Sequence, residues 1–196
     1  MLKLKKVAVT GGIGCGKTTI CDILKEAGAY VVNSDEVAHD LLEVDSLLGK
    51  KIIKFFGSEI ITNGDFDRGK IAERVFNDPN GLHYLESLLH PVMLREIEKR
   101  YEQAKKRKFR LFVVEMPLLF ELHQEKMFDI IITVYAKKSL CMQRLSPQKR
   151  KDINKRMQRQ CSIVEKKRRA DVVIINNGTK EELKKKVSEF LLRSIS

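Results

Sequence analysis

Gly11, Gly12, Gly14, Gly16, Lys17 and Thr18 stand in the spacing G-x-x-x-x-G-K-[ST]. That spacing suits a chain segment that must wrap a row of phosphates. Glycines let the backbone approach closely and take positive φ, and successive N–H groups then converge on the anion. Lys17 adds a point charge, and the Thr18 hydroxyl can ligate Mg²⁺. Gly12, Gly14, Cys15, Gly16, Lys17, Thr18 and Thr19 are therefore candidate contacts to a nucleoside triphosphate, with ATP the expected co-substrate. The pattern needs a strand before it and a helix after it. Leu4 to Thr10 is apolar and β-branched enough for a buried strand. From Thr19, residues Ile20, Ile23, Leu24 and Ala27 share one helical face, which Gly28 closes.

Two acids could complete the chemistry. Asp35 stands just beyond the predicted strand Ala29–Asn33, and strand ends in a parallel sheet gather on one edge. A carboxylate there can take a proton from an acceptor hydroxyl; it reads equally as a helix N-cap. Glu115 ends the predicted strand Leu111–Glu115, where it suits a Mg²⁺ site or an ordinary strand end. Cys15 lies in the loop, where the helix dipole and Lys17 predict a lowered thiol pKa and a reactive group when ATP is absent.

Further apolar runs at Ile130–Val134 and Val172–Asn176 bring the strands to five, each continuous enough to be covered on both faces. The expected architecture is a three-layer α/β/α fold around a five-stranded parallel sheet. A closing helix over 179–192 presents Leu183, Val187, Phe190 and Leu191 to it. The stretch 36–108 breaks this rhythm, with helical patterns over 47–56, 70–76 and 79–105 and a turn at Asn63, Gly64 and Asp65, but no sheet strand. We read a nucleotide-binding core over 1–35, 109–143 and 170–196, a helical acceptor-binding insertion over 36–108 and a helical lid over 144–169.

The chain of 196 residues carries a formal charge of +12. Much of it is concentrated: residues 144–169 hold eleven Lys and Arg against two acids, a net +9. With aromatics at only 7% of the chain and no Trp, this segment suits phosphates better than stacked bases, so no nucleic-acid partner is expected. The run Lys105 to Lys108 reads as a solvated helix end. No apolar run reaches the roughly 18 residues of a membrane span, and the N-terminus lacks signal-peptide features. The four cysteines form no C-x-x-C pair and no histidine stands at ligand spacing from them, which argues against disulfides and zinc and for a cytoplasmic protein. No obligate protein partner is evident, and a monomer is expected.

At this point the residues resemble one family, the dephospho-CoA kinases, from Val7 to Leu183. The resemblance rests on Thr10 to Gly14, on Asp35, and on Gly64 to Arg68 followed by Ile71, Val75 and Phe76. It continues through Leu88 to Pro91, Pro117 to Glu121, Arg144, Arg156, Gln160, Ala170, Asp171 and Asn176 to Gly178. It implies a P-loop kinase that transfers the ATP γ-phosphoryl group to the ribose 3′-hydroxyl of dephospho-CoA, with Mg²⁺. On that resemblance Asp35 matches the base, Lys17 the phosphate site and Arg144 a lid-side arginine. Arg68, His90 and Glu121, with Asp35, match acceptor-binding motif positions. His90 can instead shape the turn before Pro91. Asn176 reads as an adenine contact or as the start of the turn into the last helix. Asn33 stands where the family often has an acid, Cys141 replaces a common glutamine, and the span Arg144 to Gln160 is shorter than usual. A kinase of another small acceptor, such as a nucleoside or nucleotide, is the alternative, followed by a nucleic-acid-stimulated ATPase.

Overall fold

Five parallel strands carry the apolar runs: β1 (Lys5–Gly11), β2 (Tyr30–Asn33), β5 (Leu111–Glu115), β6 (Ile130–Tyr135) and β7 (Val172–Ile175), numbered in chain order. The computed structural model describes residues 3–147, 150, 153, 157 and 159–195. The strands pair in the order β2-β5-β1-β6-β7, every neighbour parallel. Val9 and Asn33 both lie opposite Glu115, and Gly11 lies opposite Val134. This register lines up the strand ends along one edge of the sheet. The opposite ends are tied by side chains: Asp129 accepts from Lys6 N at 2.8 Å and Asp171 from Ile131 N at 2.7 Å.

Helices α1 (Lys17–Glu26) and α8 (Lys180–Ile195) cover one face. Ile20, Ile23 and Leu24 of the first, with Leu183, Val187 and Phe190 of the second, pack on Val7, Val9, Leu111, Val113, Ile132 and Val134. Side chains alternate along a strand, so Thr133 points to the other face. There its hydroxyl donates to the Lys166 carbonyl at 3.0 Å, docking α7 (Ile163–Arg169) against β6 and β1. The predicted α/β/α layering is thus observed. The first helix starts at Lys17, two residues earlier than its apolar stripe suggested, because Gly16 takes a left-handed φ of 92° and turns the chain directly into it.

Met1–Asn33 with Glu102–Ser196 form one compact unit, and Ser34–Tyr101 form a second. The second is built from α2 (Ser34–Asp40), α3 (Leu47–Phe56), α4 (Arg68–Asn77) and most of α5 (Pro79–Lys106). Its core is Ile52, Phe56, Ile60, Ile71, Val75 and Leu85. Ser46 caps α3 by accepting from Gly49 N at 2.8 Å, and Asp67 caps α4 by accepting from Gly69 N and Lys70 N at 2.9 and 3.1 Å. The turn predicted at Asn63 and Gly64 is the tip of a small hairpin of β3 (Ile61–Thr62) and β4 (Asp65–Phe66). Both tip residues have positive φ, 54° and 87°, as a type I′ turn requires.

Phe112, on β5 between the edge strand β2 and the central β1, is fully buried and stacks on Tyr30 with ring centroids 5.6 Å apart. Phe112→Ala is expected to cost about 3–5 kcal/mol, read as a lowered urea midpoint with an unchanged m-value. An unmoved midpoint would show that the sheet does not depend on this ring.

Candidate active site

The chain leaves β1 at Gly11 and loops through Gly16 before entering α1. Gly11, Gly14 and Gly16 have φ of 143°, 74° and 92°, and sterics add a second constraint. A Cβ on Gly11 would sit 2.3 Å from the Val134 carbonyl oxygen, and one on Gly14 2.6 Å from that of Cys141. The loop therefore rests directly on β6 and on α6 (Lys138–Gln143). Asn176, which is buried, also fastens it by donating from Nδ2 to the Cys15 carbonyl at 2.9 Å. Arg144 then donates from Nη2 to the Asn176 carbonyl at 3.1 Å. Sequence reading weighed Asn176 as an adenine contact or as the start of the turn into the last helix; in the structure its Nδ2 holds the loop backbone.

Lys17 folds over its own loop, donating from Nζ to the carbonyls of Gly12 at 2.9 Å and Gly11 at 3.3 Å. Thr18 donates from Oγ1 to Glu115 Oε1 at 3.0 Å, and Asn33 Nδ2 donates to Glu115 Oε2 at 3.5 Å. A hydroxyl and a buried carboxylate so close make a hard-oxygen donor pair, which fits Mg²⁺. That cation is commonly held by one or two protein oxygens together with substrate phosphates and water. Among the described residues no group of three or more His, Cys, Asp or Glu could hold a metal. Thr19 follows within the first turn of α1.

Cys15 corrects the expectation of a reactive thiol. It is 3% exposed, with Sγ 3.4 Å from Cys141 Sγ. Burial, then the hydrogen bond with Cys15, pushes the Cys141 thiol up to about 12. A thiol sealed among apolar neighbours lacks the partial exposure that reactive cysteines share.

Glu121 belongs to the same unit but faces inward. Its Oε1 accepts from Cys161 N at 2.7 Å and from Lys166 Nζ at 2.9 Å. Lys166 and Arg169 were counted among the phosphate-facing cations of 144–169. The structure turns both toward protein: Lys166 is 1% exposed, and Arg169 pairs with Glu125 and Glu165 beneath the Phe120 ring. Arg150 donates to the carbonyls of Leu145 and Gln143 at the end of α6. Lys149, Lys151, Lys155 and Arg156 lie outside the described residues.

Asp35, Arg68 and His90 belong to the second unit. Asp35 is exposed in the first turn of α2, which begins at Ser34, so it is a helix-start acid favoured by the dipole rather than a cap. Arg68 opens α4 directly after the Asp67 cap and is exposed. His90 precedes Pro91 within α5, so it does not end a helix; burial holds its pKa below the ordinary 6.5, against the pull of Glu86. Lys166 is the residue that motif reading missed, and Thr10 was read only as part of the loop motif. Both meet the Pro117 carbonyl, Lys166 at 2.6 Å and Thr10 at 3.3 Å.

A glycine loop running into a helix at the C-terminal edge of a parallel sheet, with Thr18 turned onto a strand-end carboxylate, defines a P-loop nucleotide-binding protein of the kinase type. Comparison with known proteins narrows the class. The dephospho-CoA kinase family profile matches residues 5–182. A dephospho-CoA kinase of Protochlamydia amoebophila is 44% identical over 194 residues, covering 96% of each chain. The solved dephospho-CoA kinase from Campylobacter jejuni superposes with a TM-score of 0.73 at 27% identity, over 97% of this chain and 96% of that one. A solved Thermus thermophilus protein reaches 0.82 at 28% identity, over 98% and 99%. The chain belongs to the dephospho-CoA kinase family, and it is a kinase.

The fastening of the loop by Asn176 can be tested alone. Asn176→Asp keeps the shape but sets a carboxylate against the Cys15 carbonyl in place of a donor. It is expected to weaken MgATP binding about tenfold or more by calorimetry while the protein still unfolds cooperatively. Unchanged affinity would show that the loop holds its form without this bond.

Proposed function

We propose that this chain transfers the γ-phosphoryl group of ATP to the ribose 3′-hydroxyl of dephospho-CoA, giving coenzyme A and ADP in the final step of coenzyme A synthesis. The observation that carries phosphoryl transfer is the 3.0 Å contact between Thr18 and Glu115 at the mouth of the glycine loop; the acceptor follows from family membership. The loop amides and Lys17 hold the phosphates, with Lys17 Nζ exchanging the carbonyls of Gly11 and Gly12 for phosphate oxygens. Thr18 and Glu115 hold Mg²⁺, which neutralises charge on the phosphate oxygens when bound. Arg144, already anchored at Asn176, adds positive charge beside the loop. As the acceptor oxygen bonds to the γ-phosphorus, the bond to the β–γ bridging oxygen breaks and ADP leaves. Asp35 takes the hydroxyl proton. Asp35, Arg68 and His90 form our proposed acceptor set; Glu121, matched to the same motifs, acts on it through the segment it anchors and without touching the acceptor.

The reading extends to a cytoplasmic monomer that needs no partner beyond its two substrates, with residues 36–108 binding the acceptor and 144–169 closing as a lid. Four free cysteines support a reducing compartment. No helix among the described residues is long and apolar enough to cross a membrane.

A coupled ADP-release assay run in parallel with dephospho-CoA, nucleosides, nucleotides and single-stranded DNA tests the acceptor. Only dephospho-CoA is expected to drive turnover; release with a nucleoside, a nucleotide or DNA instead would overturn the reading. Within it, Lys17→Ala is expected to lower kcat/KM by about 10² or more. Asp35→Asn is expected to lower kcat by about 10²–10³ with ATP affinity kept. A near-normal kcat in Asp35→Asn would remove Asp35 from the chemistry.

A further inference from the structure

Lys166 is the most deeply buried charged residue among those described, at 1% exposure. A buried ammonium is costly unless it is paired and fully hydrogen-bonded, and this one is spent on a particular place. Its Nζ donates to the Pro117 carbonyl at 2.6 Å and pairs with Glu121 Oε1 at 2.9 Å. Pro117 follows Met116, whose N–H donates to the Val9 carbonyl at 2.9 Å, and Met116 follows Glu115. The same Pro117 carbonyl accepts from Thr10 Oγ1 at 3.3 Å, and fully buried Thr10 is the last residue before Gly11. Glu121 Oε1 also accepts from Cys161 N at 2.7 Å, where the basic segment rejoins α7. Its Oε2 is buried with no hydrogen-bond partner among the described residues. Among the described residues the carboxylate is held through Oε1 alone. Its position is dictated by the two donors on Oε1.

We propose that Lys166 and Glu121 are positioning residues. They form a buried latch that fixes the turn after Glu115 against Thr10 and, through Cys161, ties the root of the basic segment to the same point. The latch touches neither substrate. It sets the placement of Glu115 relative to the glycine loop, and it makes that placement depend on where the basic segment is rooted. The inference rests on the assignment of Glu115 to the Mg²⁺ site.

Four proteins test it: wild type, Lys166→Met, Lys166→Arg and the double variant Lys166→Met/Glu121→Leu. Misplacement near 1 Å can cost two orders of magnitude, so Lys166→Met is expected to lose about 10- to 100-fold in kcat, with the KM for dephospho-CoA within about threefold. Lys166→Arg, which keeps a buried donor, is expected to recover part of the loss. The double variant removes both charges, and apolar replacement of a buried pair is often neutral for stability. It is expected to regain the melting temperature that Lys166→Met loses, but not the kcat. Recovery of both by the double variant, or a normal kcat in Lys166→Met below its melting temperature, would reduce the pair to core packing. Should Lys166→Met fail to fold, the double variant carries the test, because it leaves no unpaired buried charge. Wild type inert toward dephospho-CoA would overturn the functional reading alone. The latch is then judged by MgATP affinity and Cys161 amide exchange: in Lys166→Met the affinity is expected to fall about tenfold and the exchange to quicken, and no change in either would overturn it.

Discussion

The hydrogen bond from Thr18 to Glu115 can form only because β1 and β5 are parallel neighbours in a register that sets Val9 opposite Glu115. Slip that register by one residue and the side chains of a strand exchange faces. Glu115 would then point away from the loop. The apolar residues of β1 and β5 hold the register, since Val7, Val9, Leu111 and Val113 are buried under α1 and α8. The hydrophobic core thus sets the distance between a hydroxyl and a carboxylate. Packing fixes the register, and within it the fastenings of Asn176 on Cys15 and of Lys166 on Pro117 place the loop and the turn after Glu115.

The net charge of +12 divides along the same lines. In α7 the cations cluster in the last turn, where they complement the helix dipole, and several are committed to neighbours. Lys166 is buried, Lys167 lies 4.8 Å from the centroid of the Tyr135 ring and Arg169 joins two glutamates. These charges hold α7 on the sheet. Arg144, anchored at Asn176, stands beside the loop, where a phosphate chemistry can use it.

The sheet was legible because buried parallel strands are nearly unbroken apolar runs, and the glycine loop because its spacing has few other uses. Features carried by contacts distant in sequence were not. Cys15 and Cys141 stand 126 residues apart, so the apolar enclosure that silences the loop thiol left no local mark. Lys166, in a run of four cations, reads as one more solvated charge; only the fold supplies Glu121 and the Pro117 carbonyl. Glu121 was legible as a motif residue, but the donors it serves were not. The hairpin of β3 and β4 has two-residue strands, too short for any alternation to show, and only its turn residues betrayed it. His90 was weighed as a turn residue because of Pro91, yet α5 continues through that proline.

The most direct test of the account is the site of the new phosphate. After incubation with ATP, Mg²⁺ and dephospho-CoA, a ³¹P–¹H correlation spectrum of the product is expected to couple the new phosphorus to the ribose H3′, with one ADP formed per phosphate transferred. Phosphate on another hydroxyl, or ADP and inorganic phosphate beside unchanged dephospho-CoA, would contradict it.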